Sequence, residues 1–245
     1  MPKNGIEGVV DLVSLLEAKR FGVQYQPIVE LSNLHVFAYE ALARFYNESG
    51  QSIPPDLVYS LLHDSPVSLF QVELLQKKIQ LSSAPPNKPL FVNLDQDSYS
   101  SCGITGSSNP FAKLFADYNK GELIVELIEN SEINDAIMSL KMIEDLSAAG
   151  IKTAIDDVFN PQCMLSTSVI QLVDFLKLDK DVVQKKLDEK FLVLVRAFIE
   201  YAHAVDKKVI LEGVESAEDL AFADNLGVDY VQGFYFQSHF IDVNS

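Results

Sequence analysis

The sequence predicts a single (βα)₈ barrel, a fold of the α/β class. Short runs rich in β-branched and aromatic residues alternate along the chain with stretches whose apolar residues recur at the helical period of about 3.6. This alternation is typical of a parallel sheet covered by helices. Eight candidate strands fall within 245 residues, and that number of strands in that length favours one closed TIM-type barrel over an open sheet.

The candidate strands and helices cover most of the chain after residue 20. Strands are predicted at residues 23–28, 36–43, 90–94, 123–128, 152–156, 175–178, 209–212 and 230–231. Helices are predicted at residues 57–63, 69–82, 110–118, 135–149, 188–205 and 217–226. The Pro-rich residues 82–89 and the Ser/Gly-rich residues 98–109 are expected to be loops inside one domain. We therefore expect a helical lead-in at residues 1–20 and a barrel domain at residues 21–245.

The chain is strongly acidic, with a formal net charge of −16 at pH 7. Such a surface repels polyanions, so we expect no DNA or RNA polymer as a partner. The apolar stretch near the start is interrupted by Asp11 and Ser14, which argues against a signal peptide or a membrane span. Cys102 and Cys163 lie far apart and form neither a metal-type motif nor a disulfide framework, so we expect the protein in the reducing cytoplasm.

Polar side chains stand at the ends of seven predicted strands, each after an apolar run. They are Glu40, Asn93, Glu126, Asp156 with Asp157, Lys177, Glu212 and Gln232. In a parallel barrel all strand C-termini meet at one mouth, so we expect these side chains to converge there. Each of them alone is explained equally well by a helix cap, an ion pair or a solvated loop. Their convergence is what points to a site.

At least five carboxylates at one mouth would repel each other and raise one another's pKa. A divalent cation removes this conflict, and Mg²⁺ or Mn²⁺ prefers carboxylate and amide oxygens. Such a metal can activate a water molecule and clamp phosphoryl oxygens, while a neighbouring lysine stabilises the developing charge. The residues alone thus predict a metal-dependent phosphoester hydrolase built on a barrel.

The same residues lie in motifs that resemble the EAL domain family. Tyr39-Glu40-Ala41-Leu42-Ala43-Arg44 is similar to the signature Glu-Ala-Leu-x-Arg, and Tyr25-Gln26-Pro27-Ile28-Val29 precedes it as in the family. The further blocks are, in order, Val92-Asn93-Leu94, Glu126-Leu127-Ile128-Glu129, Ile155-Asp156-Asp157, Phe175-Leu176-Lys177-Leu178-Asp179, Glu212-Gly213-Val214-Glu215 and Val231-Gln232-Gly233-Phe234. Ordered blocks from about residue 12 to residue 236 make this resemblance specific.

The resemblance implies a (βα)₈ barrel with one antiparallel strand that hydrolyses the signalling dinucleotide cyclic di-GMP to linear pGpG. It implies that the ligands of Mg²⁺ or Mn²⁺ are Glu40, Asn93, Glu126, Asp156 and Asp157. It implies that the catalytic group consists of Lys177, Glu212 and Glu129, the last bracing the loop after Asp157. The residues that match substrate contacts or complete the site are Gln26, Arg44, Asp179, Glu215 and Gln232.

One block departs from the family pattern. After the Asp-Asp pair the family reads Phe-Gly-Thr-Gly-Tyr-Ser-Ser-Leu, whereas residues 158–165 here read Val-Phe-Asn-Pro-Gln-Cys-Met-Leu. Both glycines are absent and Pro161 stiffens the segment, so a loop that needs positive φ is expected to take a changed path. In the family this loop couples metal binding to dimerisation. We therefore expect slow hydrolysis because of the altered loop at residues 157–165.

Three classes of function fit these observations unequally. The complete set of site residues favours a cyclic di-GMP phosphodiesterase. The altered loop favours the alternative of a catalytically inactive cyclic di-GMP receptor that acts through protein partners. A protein-interaction domain that has lost the nucleotide is disfavoured because Gln26, Arg44 and Lys177 are all present. Homodimerisation and a protein effector partner both stay open at this point.

Overall fold

The strands close into a barrel, as the alternation predicts. The computed structural model describes residue 15, residues 18–127 and residues 133–244, with the backbone alone for residues 133–136. Within this part the strands are β1 Phe21–Glu30, β2 Val36–Tyr46, β3 Ser52–Ile53, β4 Leu90–Leu94, β5 Leu123–Leu127, β6 Lys152–Val158, β7 Phe175–Leu178, β8 Lys208–Leu211, β9 Tyr230–Val231 and β10 Ile241–Asn244. Eight of them form the closed order β1-β9-β8-β7-β6-β5-β4-β2, and β2 returns to pair with β1.

One strand of the barrel runs against the others. β1 is antiparallel to both of its barrel neighbours, β2 and β9, because a short hairpin joins it directly to β2. The remaining barrel strands pair in parallel. The expectation of a (βα)₈ barrel with one antiparallel strand is therefore confirmed. The C-terminal ends of the parallel strands share one mouth, and β1 enters the barrel from that same end.

The helices lie on the outside of the barrel. They are α1 Pro55–Leu62, α2 Pro66–Ser82, α3 Gln96–Ser101, α4 Pro110–Ala116, α5 Ile133–Ala148, α6 Thr167–Leu172, α7 Asp181–Gln184, α8 Glu189–Ala204 and α9 Ala217–Leu226. The predicted helix at residues 217–226 is confirmed, and its Ser216 forms a capping box with Asp219. Among the described residues, none of the helices combines the length and apolar character that crossing a membrane requires.

Two helices begin earlier than expected because proline occupies their first turn. Pro55 and Pro66 start α1 and α2, and proline is favoured there because the first N–H groups of a helix have no partner inside it. Three short helices, α3, α6 and α7, were not predicted. The prediction of a loop at residues 98–109 is wrong for residues 98–101, where the Asp95 carboxylate accepts from the Asp97 and Ser98 amides and nucleates α3.

The inside of the barrel has an apolar floor beneath the mouth. One residue from each of seven strands forms this buried cluster: Ile28, Ala38, Phe91, Ile124, Ala154, Phe175 and Ile210. The alternate residues of the same strands, such as Leu90, Val92 and Leu94 of β4, pack outward in the larger core that contacts the helices. Because strand side chains alternate, the residue two places after each floor residue of the parallel strands points into the barrel again, nearer the mouth. On the reversed strand β1 this is the residue two places before Ile28.

Phe91 carries the packing of this floor, with its ring edge-on to Phe175 at a centroid distance of 5.1 Å. Phe91→Ala should lower the free energy of unfolding by about 3–5 kcal/mol, because the closed barrel cannot collapse around the cavity. Urea denaturation followed by circular dichroism measures this loss. Val193→Ala, on the exposed face of α8, is the matched control and should change stability by less than about 0.5 kcal/mol. A loss below about 1 kcal/mol for Phe91→Ala would show that the floor is not close-packed.

Candidate active site

The side chain that follows each floor residue toward the mouth is polar in seven strands. The pairs are Ile28 with Gln26 on the reversed strand β1, Ala38 with Glu40, Phe91 with Asn93, Ile124 with Glu126, Ala154 with Asp156, Phe175 with Lys177, and Ile210 with Glu212. The alternation of the strands therefore places a polar layer directly above the apolar floor. The convergence that the sequence predicts is a consequence of this two-residue step.

Lys177 lies at the centre of the polar layer and is fully buried. Its Nζ is 2.9 Å from Glu126 Oε1 and 2.8 Å from Glu212 Oε1. The same atom is 3.1 Å from Asp156 Oδ1 and 3.4 Å from Glu40 Oε2. A single ammonium thus contacts carboxylates that come from β2, β5, β6 and the end of β8.

Glu40 is held by two amide groups as well as by Lys177. Asn93 Nδ2 donates to Glu40 Oε1 at 2.9 Å, and Gln232 Nε2 donates to Glu40 Oε2 at 2.6 Å. Burial opposes ionisation of this carboxyl, but the Lys177 charge and these hydrogen bonds outweigh it and lower the pKa of Glu40. Glu40 is therefore the fixed anion of the site.

Burial and crowding raise the pKa values of the other carboxyl groups in the layer. Burial raises the pKa of Glu126 well above its ordinary value, and the neighbouring Glu40 charge adds to the effect. Burial also raises the pKa of Glu212 to about 8, although Lys177 opposes the shift. The pKa of Lys177 moves upward, because its carboxylate neighbours outweigh the burial that favours the neutral amine. The layer holds more carboxyl groups than one ammonium can balance in their charged form, and bound protons make up the difference.

A β-bulge brings two consecutive aspartates to the mouth. Between β6 and β7, Ile155 pairs with Leu176 and Val158 pairs with Leu178, so β6 contains one extra residue. Asp157 takes a φ of 56° at this bulge. Its carboxyl faces Asp156 and Asp179, and burial together with these two neighbours raises the pKa of Asp157 to about 7. Without the bulge, strand alternation would turn Asp157 away from Asp156.

A tight turn follows the bulge and contains an unusual phenylalanine. Asp157 O accepts from the amide of Asn160 at 2.9 Å, and Phe159 in this turn has a φ of 75°. That φ at the third position matches a type II turn, which normally takes glycine there. A bulky residue in this region costs about 1–2 kcal/mol. Residue 159 keeps a positive φ even though the family's glycine is absent.

Two of the predicted substrate residues, Gln26 and Arg44, line the wall beside β1. Arg44 Nη1 donates to the backbone oxygen of Ala43 at 2.8 Å, and Nη2 donates to Gln24 Oε1. Gln26 Nε2 donates to the same Gln24 oxygen at 3.0 Å, and Gln24 Nε2 donates to Asp242 Oδ1 at 2.8 Å. Sequence reasoning missed Gln24 and Asp242, although Gln24 lies two residues from Gln26 and therefore on the same face of β1.

Asp179 and Glu215 lie at different depths. Asp179 is buried beside Asp157, and its Oδ1 accepts from the amide of Asp181 at 2.7 Å. Glu215 is exposed, and its amide donates to Asp219 Oδ2 at 3.2 Å. Glu129 lies outside the described residues.

The polar layer has the donor set and the free lone pairs that a hard divalent cation needs. Glu126 Oε2 is buried without a hydrogen-bond donor in the described part of the chain, whereas Glu126 Oε1 and Asp156 Oδ1 face the Lys177 ammonium. Ligand atoms of Glu40, Glu126 and Asp156 lie within 4.8 Å of one another, and so do those of Asp156, Asp157 and Glu212. Asp156 belongs to both groups, so these residues fit a pair of adjacent cation sites that share one carboxylate.

The chain belongs to the EAL domain family, whose model matches residues 10–239. It is 26% identical over 231 residues to the bifunctional diguanylate cyclase/cyclic di-GMP phosphodiesterase MucR of Pseudomonas aeruginosa, covering 91% of this chain and 34% of MucR. It is 27% identical over 236 residues to the cyclic di-GMP phosphodiesterase PdeR of Escherichia coli, covering 92% and 35%. The motif-based assignment is confirmed, and the chain spans about a third of the length of these curated relatives.

Solved structures show the same fold. The phosphodiesterase MucR in complex with cyclic di-GMP superposes with a TM-score of 0.70 at 23% identity, covering 92% of this chain and 94% of that one. The Bacillus subtilis protein YkuI, crystallised with cyclic di-GMP and calcium, gives a TM-score of 0.78 at 18% identity, covering 97% and 60%. At these identities the likeness establishes the barrel, and the chemistry rests on the residues above.

The raised carboxyl pKa values give the metal-free protein a pH dependence of defined sign. A carboxyl with a higher pKa in the folded state stabilises the fold below its unfolded pKa and loses this contribution as pH rises through the folded value. Glu212, with a folded pKa of about 8 against 4.5, should therefore lower the melting temperature as pH rises from about 5 to about 8 in EDTA. Mn²⁺ should restore more of the melting temperature at about pH 8 than at about pH 6, because it replaces the protons.

Scanning calorimetry with EDTA and with Mn²⁺ measures this difference. Glu212→Gln should flatten the profile, and Glu122→Gln, at the exposed pair with Lys152, should leave it unchanged. An equal Mn²⁺ effect at both pH values would contradict the assignment of crowded carboxyls as the cation ligands.

Proposed function

We propose that this chain hydrolyses cyclic di-GMP to linear pGpG in a reaction that depends on Mg²⁺ or Mn²⁺. The observation that carries the proposal is the buried polar layer around Lys177, in which Glu40, Glu126, Asp156 and Glu212 share one ammonium. The family membership and the relatives named as cyclic di-GMP phosphodiesterases support the same activity. The excess of carboxylate over ammonium is a reason for a cation to bind.

The residues that would hold the metal are Glu40, Asn93, Glu126, Asp156 and Asp157. When bound, the divalent cation supplies an acidified water and positive charge for the phosphoryl oxygens. Mg²⁺ and Mn²⁺ suit this set because the donors are hard carboxylate and amide oxygens.

Lys177 acts as a charged hydrogen-bond donor and not as a base. Its raised pKa keeps it an ammonium near neutral pH, with no lone pair to accept a proton. It orients the attacking water and stabilises charge that develops on the phosphate. Glu212 is the partly exposed carboxylate beside it and accepts the proton of that water. The water oxygen bonds to phosphorus and the bond from phosphorus to the 3′ oxygen breaks. The 3′ oxygen takes up a proton to become a hydroxyl, Glu212 gives its proton back to solvent, and the ring opens to pGpG.

The wall beside β1 binds the nucleotide. Arg44 presents a guanidinium that matches phosphate oxygens in charge and shape, and Gln24 holds it in place together with Gln26. The other residues that we assign to the nucleotide site are Gln232, Asp179 and Glu215. Gln232 Oε1 is buried without a described hydrogen-bond donor, which leaves it able to accept from a bound ligand. Cys102 and Cys163 are free thiols, in keeping with a reducing cytoplasm as the place of reaction.

The altered loop at residues 157–165 makes the reaction slow. Asp157 begins the turn that contains Phe159, so strain in the turn bears directly on a ligand carboxylate. The same observation favours one alternative function, a catalytically inactive cyclic di-GMP receptor that acts through protein partners. Loss of turnover with retained binding would identify that alternative.

Lys177→Ala should reduce cyclic di-GMP hydrolysis by at least about a hundredfold, because the donor to the developing charge is lost. Binding of cyclic di-GMP, measured by calorimetry with Ca²⁺, should change by less than about fivefold, since Lys177 is not among the residues assigned to bind the nucleotide. Mn²⁺ must be present when folding is checked, because removing the ammonium leaves its carboxylate partners unpaired.

Lys152→Ala is the matched control for this substitution. Lys152 lies at the other end of β6 and is half-exposed in a pair with Glu122 at 2.8 Å. It should retain full turnover. Wild-type turnover in Lys177→Ala would remove Lys177 from the chemistry.

Turnover should be faster with Mn²⁺ than with Mg²⁺, by about tenfold, because Mg²⁺ is stricter about octahedral geometry and the Asp157 turn is strained. Chromatographic measurement of pGpG over time with each metal tests this expectation. Equal and fast rates with both metals would show that the loop does not limit catalysis. Tight cyclic di-GMP binding without pGpG under either metal would establish the receptor.

A further inference from the structure

The turn after the aspartate pair is tied to the fold at two points. Val158 is fully buried, and its backbone oxygen accepts from the amide of Asp179 at 2.9 Å. The second tie is the ring of Phe159, which is edge-on to Phe198 at 5.2 Å and to Phe191 at 5.7 Å. Asp157 lies directly before these two anchored residues, so their placement decides where its carboxyl points.

The helix that receives the Phe159 ring is a rigid support. Phe191 and Phe198 belong to α8 and lie at the edge of its buried face, which packs into the main core through Leu192, Val195 and Ile199. The aromatic contact therefore links the turn to the main core and not to another loop. Glycine at residue 159 would adopt the same φ of 75° without strain, but it would lose this link.

We propose that Phe159 is a positioning residue for the metal site. Held by Phe191 and Phe198, its ring fixes the turn in which Asp157 accepts from Asn160, and so keeps Asp157 beside Asp156. The proposal rests on the proposed function for the identity of the metal. It assigns to packing at α8 a role that the Asp-Asp motif by itself does not have. Residues that orient metal ligands from outside the ligand set typically change metal affinity or activity by about 10–100-fold.

Four variants separate an anchoring role from simple backbone strain. Phe159→Ala removes the ring and keeps the unfavourable φ, whereas Phe159→Gly removes both the ring and the strain. Phe198→Ala removes half of the socket and leaves the loop sequence intact. Phe159→Leu keeps an apolar side chain that reaches the socket and is the conservative rescue. Val193→Ala, at an exposed position of the same helix, is the control.

Mn²⁺ affinity by calorimetry is the main measurement, made at a temperature where circular dichroism shows each variant folded. Phe159→Ala, Phe159→Gly and Phe198→Ala should each weaken Mn²⁺ binding by about tenfold, with Phe159→Leu and Val193→Ala within about threefold of wild type. Hydrogen exchange at the Asn160 amide should accelerate by about tenfold in the same three variants.

Phe159→Gly is the decisive variant. If strain alone mattered, this variant would bind Mn²⁺ as tightly as wild type or more tightly, and the positioning role would be overturned. Unchanged Mn²⁺ affinity and Asn160 exchange in Phe198→Ala would overturn it as well. If the wild-type protein binds Mn²⁺ and hydrolyses cyclic di-GMP with it, and every variant has the same Mn²⁺ affinity, only this inference is refuted. Wild type that binds Mn²⁺ without hydrolysis would refute only the proposed function, and wild type that binds no Mn²⁺ would refute both.

Discussion

The buried charge imbalance around Lys177 is the constraint on which the rest of the structure depends. Moving a carboxylate or an ammonium out of water costs several kcal/mol per ion even after the protein relaxes. Lys177 balances a single negative charge, yet it contacts four carboxylates. Asn93 and Gln232 donate to Glu40 and keep that one carboxylate ionised, while the pKa values of Glu126 and Glu212 rise. A fold maintains such a cluster against its cost when a ligand resolves it, and a divalent cation is the ligand that these donors fit.

The barrel can hold this cluster because each of seven strands places an apolar residue in the floor and a polar residue in the layer above it, two positions apart. Phe91, Phe175 and their neighbours form a floor that excludes water from below. The next inward residue of each strand, such as Asn93 after Phe91 and Lys177 after Phe175, is polar and lies nearer the mouth. Rigid strands therefore set the distances between Lys177 and its partners, and loops adjust access to them. The antiparallel β1 adds Gln24 and Gln26 to the same inner face, where Gln24 Oε1 accepts from both Arg44 and Gln26.

The strands and the polar layer could be predicted because both follow from the pattern of apolar and polar residues along each strand, which is visible in a few consecutive residues. The Gln24–Asp242 contact could not, because it joins residues 218 positions apart through the unpredicted strand β10. The bulge at Asp156 and Asp157 could not be predicted either, since a shift in register depends on how β6 pairs with its partner strand β7. The absence of glycine after Asp157 pointed to a changed loop, yet Phe159 adopts the positive φ itself. Packing against α8 is the tertiary contribution that no local pattern contains.

Phenylalanine at residue 159 has more backbone strain than glycine would have, but it loses less conformational entropy when the turn is ordered. Glycine reaches positive φ freely, but a glycine loop must be ordered each time the metal site forms, at about 1–2 kcal/mol per residue fixed. Phe159 accepts about 1–2 kcal/mol of backbone strain, and its ring pairs with Phe191 and Phe198 return about 0.5–1.5 kcal/mol each beyond the area buried. The strain and the ring contacts are similar in size, so the packing against α8 offsets the positive φ of Phe159. Under the proposed function, a turn held by packing in this way would favour binding of the cation and oppose any step in which the loop must move.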